Sequence, residues 1–161
     1  IWALGLRNPF KFDVQPGTGR LFINDVGEAR WAEINDGIAG ANYGWPVVSY
    51  GQNYNGSPVG DGVAHRDGMT EPVYFWDPVI APGGFVFYEG AMFPDWQGDV
   101  IAASLNPGGI VRLKLDGDSV VGEARYLYAT ARFRDIAIDR DGAILAVTDA
   151  DDGQLLRITP R

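Results

Sequence analysis

Residues 7–46 read RNPFKFDVQPGTGRLFINDVGEARWAEINDGIAGANYGWP, and this stretch decides the fold. Phe10, Phe12 and Val14 recur at every second position, and Leu21 and Ile23 keep the same period after the Gly17-Thr18-Gly19 turn. Successive side chains of a strand point to opposite faces, so this pattern predicts a half-buried antiparallel hairpin. An acidic loop, Asp25-Val26-Gly27-Glu28, leads into a third short run around Ala32 to Ile34, and Asn42-Tyr43-Gly44-Trp45-Pro46 makes a turn beyond it. Runs joined in this way form a β meander.

Outward from the meander, residues 37–71 are rich in Gly, Asn, Ser and Pro, keep no period, and read as one long loop of the kind that is functional or mobile in a compact domain. Pro72 to Trp76 reads as a strand closing the first set from outside. Gly83-Gly84 opens Phe85 to Tyr88. Val100 to Leu105, Ile110 to Leu115 and Ala124 to Tyr128 complete a second set, with Asp116-Gly117-Asp118 as a connecting turn. Ile136 to Ile138, Ile144 to Val147 and Leu155 to Ile158 form a third set that has only three strands, with Asp141-Gly142 as its hairpin signal. An internal repeat supports this division. Phe12-Asp13, a glycine turn and Leu21-Phe22-Ile23-Asn24-Asp25 match Ile138-Asp139, Asp141-Gly142 and Leu145-Ala146-Val147-Thr148-Asp149, while Phe85 to Ser104 is a looser middle copy. Self-similar four-strand units are how propellers are written in sequence. The expected architecture is an all-β propeller segment of about three four-stranded blades, over residues 7–76, 83–129 and 133–159.

The bulk properties agree. The 161 residues, 46% hydrophobic and 21% charged, suit a globular chain with one ordinary core. Twenty-two glycines and ten prolines favour many turns over a helical bundle. A formal charge of −8 argues against nucleic acid or an anionic membrane as partner, because phosphate binding needs clustered Lys and Arg. A neutral sugar remains compatible. The absence of cysteine excludes disulfides and thiolate metal sites. No apolar run is long enough to span a bilayer as a helix. The chain opens Ile1-Trp2-Ala3-Leu4, without methionine or leader, and is expected to start in the middle of a longer domain.

Arg7-Asn8-Pro9, the Asp25-Val26-Gly27 loop, Glu33-Ile34-Asn35 and Asn42-Tyr43-Gly44-Trp45-Pro46 together resemble, in order and spacing, the soluble sugar dehydrogenases of the glucose/sorbosone dehydrogenase family. The resemblance spans nearly the whole chain. It implies the C-terminal half of a six-bladed propeller, in a family whose catalytic members use pyrroloquinoline quinone with calcium. It also implies that Ile1 to Leu4 is an outer strand of a preceding blade. Because open sheet edges invite pairing, that segment of a second copy would complete the last blade in a homodimer, or a missing N-terminal half would complete the propeller.

A quinone with three carboxylates needs cations, ideally planar arginine forks. Arg132 and Arg134 lie two apart on a predicted strand and so share a face. By residue pattern alone they equally decorate an exposed strand, whereas the resemblance makes them the paired cofactor-binding arginines, with Arg7 as the third and Asn8 and Asn106 beside them. It assigns Gly27, through its carbonyl, and Glu28 to calcium, a cation that takes oxygen ligands. Tyr74 would stack on a flat ring; aromatic strands otherwise serve as packing. The family's histidine base belongs to the preceding half, and His65, in the long loop, matches no motif, so no catalytic base is assigned. Asp149, Asp151 and Asp152 read as a solvated acidic hairpin, with a second calcium as the alternative. Three departures bear on the cofactor: Phe10 stands where the best-known catalytic members carry glutamine, Ala32 where an acid is usual, and Asn106 where a lysine is expected.

The resemblance therefore implies the cofactor-binding half of a quinone- and calcium-dependent enzyme that oxidises an aldose, periplasmic or secreted by analogy. The competing expectation, which the three departures fit, is a non-catalytic propeller scaffold binding a protein or glycan, as in hedgehog-interacting relatives.

Overall fold

The computed structural model describes residues 1–160. Strands β1 (Pro9–Val14), β2 (Leu21–Asp25), β3 (Ala32–Asp36) and β4 (Tyr74–Trp76) form one antiparallel sheet in that order. Strands β5 (Pro82–Phe87), β6 (Val100–Ser104), β7 (Gly109–Asp116) and β8 (Ser119–Tyr126) form a second, and β9 (Phe133–Ile138), β10 (Ile144–Thr148) and β11 (Leu155–Ile158) a third. A single 3-10 turn, Pro94–Trp96, is the one helical element among the described residues. The structure is an all-β propeller segment of three blades.

The period-two pattern sorts side chains between two interfaces rather than between core and water. In β6 all five residues are buried. Val100 and Ala102 join Phe22, Ile34, Trp76, Phe85 and Leu113 between the first two sheets. Ile101 and Ala103 join Phe133, Ile136, Ile144 and Ala146 between the second and third. Each large side chain buried this way contributes roughly 1.5–3 kcal/mol, so the middle blade is held from both sides.

The first strand of each blade is the innermost. Lys11 on β1 pairs with Asp135 on β9 at 3.0 Å, and the Arg134 guanidinium lies 5.9 Å from the centre of the Phe10 ring, so β1 and β9 meet across the intervening blade. Such contacts are possible only where blades converge. At the periphery Tyr74 and Trp76, on β4, donate to the Glu123 carboxylate on β8. The convergence explains Gly84, where a Cβ would stand 1.6 Å from the Asp135 carboxylate.

One expectation changes. Phe10, Phe12 and Val14 do lie on one strand, but all three are exposed, Phe12 at 69%, because among the described residues no blade packs on the outer face of the first sheet. Ile1 to Leu4 has backbone partners within its own chain. Leu4 bridges Asn42 in parallel, the Gly40 N–H donates to the Trp2 carbonyl, and the Trp2 indole donates to the Gly37 carbonyl, so the segment lies along its own chain's long loop.

Candidate functional site

The residues leading into the inner strands carry the site. Arg7 and Asn8 precede β1, and the buried carboxylate of Asp25, at the end of β2, accepts both of their backbone N–H groups at 2.8 and 2.6 Å. Burial pushes the Asp25 carboxyl up, against the pull of those hydrogen bonds and the Arg7 charge. With its backbone fixed, Arg7 turns its guanidinium onto the carbonyls of Val26 and Gly27, both at 3.0 Å, with Nε 3.4 Å from Glu28. Glu28 is also buried. Its carboxylate accepts from the Trp45 indole and from the Ser49 hydroxyl, so the Asn42 to Pro46 turn serves to hold this acid. The chain can approach so closely because Gly5 has a φ of +73° and a Cβ there would lie 2.3 Å from Asn42 Oδ1. Glu33 next door accepts from Trp31 and Asn35, and burial pushes its carboxyl up as well. The cavity among Arg7, Glu28, Trp45 and Tyr50 measures only about 30 Å³, room for a water rather than a cofactor.

The second cluster leads into β9. Arg132 directs Nε and Nη2 to Asp149 Oδ2 at 3.1 and 2.9 Å, and Nη1 to the Leu105 carbonyl at 3.1 Å. Arg134 directs Nε and Nη2 to Asp149 Oδ1 at 3.3 and 3.0 Å. The two arginines hold the Asp149 carboxyl below the usual range, chiefly through these hydrogen bonds. Asn106 is exposed next to Leu105, whose carbonyl Arg132 uses. Because Arg134 lies over Phe10, two residues after Asn8, this cluster and Arg7 lie at the same end of the inner strands.

The structure thus gathers Arg7, Asn8, Gly27 and Glu28 in one group and Asn106, Arg132 and Arg134 in a neighbouring one. It does not bring Tyr74 to either. Tyr74 sits on the outermost strand of its blade, packs edge-on against Trp76 and donates to Glu123, the packing role open to an aromatic strand. His65 lies exposed in the long loop with Glu71 and Asp67 as partners; the Glu71 hydrogen bond raises its pKa. Ala32 is fully buried opposite Trp76, so an acid there would meet the inter-blade core. Three contacts of the candidate site escaped the sequence reading: Asp25 and Asp149 as holders of arginine segments, and Phe10 as the ring beneath Arg134. A signal for the first two exists, since the internal repeat aligns Asn24-Asp25 with Thr148-Asp149. In both blades the acid just after or at the end of the second strand grips the lead-in to the first.

Antiparallel blades packed face to face make a propeller segment, with Arg7, Arg132 and Arg134 collected at one end of its convergent strands. The family model described as Glucose / Sorbosone dehydrogenase matches residues 1–157. The aldose sugar dehydrogenase YliI of Escherichia coli is 34% identical over all of this chain and 44% of its own length. A crystal structure of glucose dehydrogenase superposes with a TM-score of 0.95 at 32% identity, over all of this chain and 47% of that one. The PQQ-bound aldose sugar dehydrogenase of Streptomyces coelicolor superposes with a TM-score of 0.74 at 25% identity, over 99% of this chain and 44% of that one. The chain belongs to the glucose/sorbosone dehydrogenase family, and it spans less than half the length of these relatives.

Proposed function

We propose that this chain is the cofactor-binding half of a sugar dehydrogenase that oxidises an aldose by hydride transfer to pyrroloquinoline quinone, with calcium as a second cofactor. The observation that carries this reading is the pair Arg132 and Arg134, set side by side with N–H groups to spare, at the same end of the inner strands as Arg7. Their donor chemistry fits a planar polycarboxylate, since an arginine fork matches a carboxylate bidentately. When bound, the quinone supplies the hydride-accepting centre. The chain's own residues bind and orient it, Arg132 and Arg134 by their forks and Asn106 as a neutral donor in place of a cation. The relative of known PQQ-bound structure supports the same reading.

Gly27 and Glu28 offer oxygen donors of the kind calcium takes, yet their present partner is the Arg7 guanidinium. Calcium at this loop would share or displace that contact. The departures do not favour a bare scaffold: Phe10 supports Arg134, and Ala32 belongs to the core. A sugar as substrate and a periplasmic or secreted location belong to the same proposal, as does completion of the propeller by three further blades, from the same polypeptide or a second copy.

The test is a spectroscopic titration of the intact protein with pyrroloquinoline quinone, with and without calcium. Saturable binding that disappears in the Arg132→Gln/Arg134→Gln double variant is expected. Undiminished binding in that variant would sink the assignment of the arginines, and a calcium-independent affinity would remove calcium from the proposal.

A further inference from the structure

Asp149 stands apart from the other surface acids because both of its carboxylate oxygens are taken, each by a different arginine. Arg132 meets Oδ2 through Nε and Nη2, and Arg134 meets Oδ1 through the same two nitrogens. Each arginine therefore gives Asp149 the side of its guanidinium. A guanidinium has five N–H donors. Arg132 spends one more on the Leu105 carbonyl, which leaves one N–H on each of its terminal nitrogens, and Arg134 donates only its Nε–H, with Nη2 3.0 Å from Asp149 as an ion pair, so its terminal N–H groups are not spent on hydrogen bonds. The backbone is fixed too, as the Asp149 N–H donates to the Arg132 carbonyl at 2.8 Å. The Arg134 guanidinium also lies over the Phe10 ring, 5.9 Å from its centre.

We propose that Asp149 is a positioning residue that locks Arg132 and Arg134 side by side with N–H groups of their terminal nitrogens left over, so that they receive two carboxylates of one rigid, planar polycarboxylate. The inference deepens the cofactor reading and rests on it for the identity of the natural ligand. It runs against simple charge counting. A negative charge beside an anion site weakens anion binding by Coulomb repulsion, so its removal would tighten the site. An acid that orders two flexible arginines acts oppositely, because each long side chain set free in solution loses rotamer entropy again on binding. Asp25, at the matching place in the repeat, also holds an arginine segment, there by accepting the backbone N–H groups of Arg7 and Asn8.

The experiment compares the intact wild-type protein with Asp149→Asn, which is isosteric and keeps the loop, and with Asp149→Glu, which restores the charge. Nitrogen-15 NMR of the arginine Nε–H groups reports the clamp directly: slow solvent exchange at Arg132 and Arg134 in the wild type, and fast exchange in Asp149→Asn. Calorimetric titration then uses two probes, pyrroloquinoline quinone and benzene-1,3,5-tricarboxylate, a planar tricarboxylate without a quinone. Loss of the clamp weakens both probes roughly tenfold, the scale of one charge-assisted hydrogen bond, and the glutamate variant recovers part of it. Equal or tighter binding of either probe by Asp149→Asn overturns the positioning role and leaves the cofactor reading intact. Wild-type binding of the tricarboxylate but not of the quinone overturns the cofactor reading, while the variant still decides the role of Asp149. Binding of neither probe overturns both.

Discussion

Tyr88→Phe removes one atom and disconnects two blades. Tyr88 is fully buried just beyond β5, and its hydroxyl donates to the Gly142 carbonyl at 2.6 Å while accepting from the Phe93 N–H at 3.0 Å. Gly142 sits in the β9–β10 turn, so the first of these bonds ties the middle blade to the third. The substitution leaves the ring in place and opens almost no cavity, so the transfer term is small. Two polar groups lose their partner instead. A hydrogen bond contributes a net ~1 kcal/mol, but a buried group left unpaired costs about 1–3 kcal/mol, and Gly142 is buried whereas Phe93 is only partly so. The sum is about 2–4 kcal/mol. Against a whole stability of roughly 5–15 kcal/mol this is a large fraction.

Urea unfolding followed by tryptophan fluorescence measures it, with a lowered midpoint and an unchanged slope as the expected pattern. In a scan, the melting temperature should fall by roughly 4–16 °C. Tyr54→Phe is the control, since Tyr54 is 79% exposed and its loss should stay within about 0.5 kcal/mol. A Tyr88→Phe variant within that same margin would refute the reasoning, because it would mean that water or a shifted turn satisfies Gly142 and Phe93 at no cost.

Phenylalanines at matching phase on different blades should behave differently: on the 161-residue chain, Phe85→Ala, from full burial, costs about 3–5 kcal/mol in the same unfolding assay, and Phe12→Ala, from 69% exposure, less than about 1 kcal/mol. Two carboxylates should give pH dependences of opposite sign. Burial holds the Glu33 carboxyl above its ordinary value of 4.5, so the folded chain keeps that proton longer and stability declines as pH rises from 4.5 through the folded value. Glu33→Gln should flatten that decline in urea midpoints taken across roughly pH 2–7. Asp149 is held below its ordinary 3.8 by its hydrogen bonds to Arg132 and then Arg134, so its contribution is present above 3.8 and lost as pH falls through the folded value. Asp149→Asn should remove that acid-side loss, and an unchanged acid limb would mean that the pair is fully screened in solution.

What could be read from residue order was what local physics controls. The Gly17 to Gly19 and Asp141-Gly142 turns mark hairpins because their glycines take positive φ, +78° at Gly17 and +89° at Gly142, and the alternation between such turns marks strands. The blade division follows, because four such strands in succession have no shorter way to pair than with their neighbours. The arginine segments are singled out by the family resemblance, not by local pattern, and the structure places them at the lead-ins to β1 and β9. Alternation, however, states that a strand has two faces and not what covers each. Phe10, Phe12 and Val14 alternate with polar residues yet are themselves exposed, whereas the unbroken run of β6 is sealed on both sides. The difference lies in which sheets flank them, a property of the assembled blades.

The same limit governs the site. The family resemblance implied a pocket aromatic at Tyr74, but the strand order places it at the rim, where the fourth strand of a blade must go once the first lies at the axis. Asp149 looked like part of a solvated acidic run because Asp151 and Asp152 follow it. Its partners come from β9 and the segment before it, fifteen and seventeen residues away, and only the hairpin pairing of β9 with β10 brings them within reach. An acid read by its neighbours in sequence is a surface charge; read by its place in the repeat, it is the counterpart of Asp25. The arrangement by blades therefore assigns Asp149 to the arginines, and the arginines to one end of the molecule, for a reason that operates in both blades: the second strand ends where the first begins.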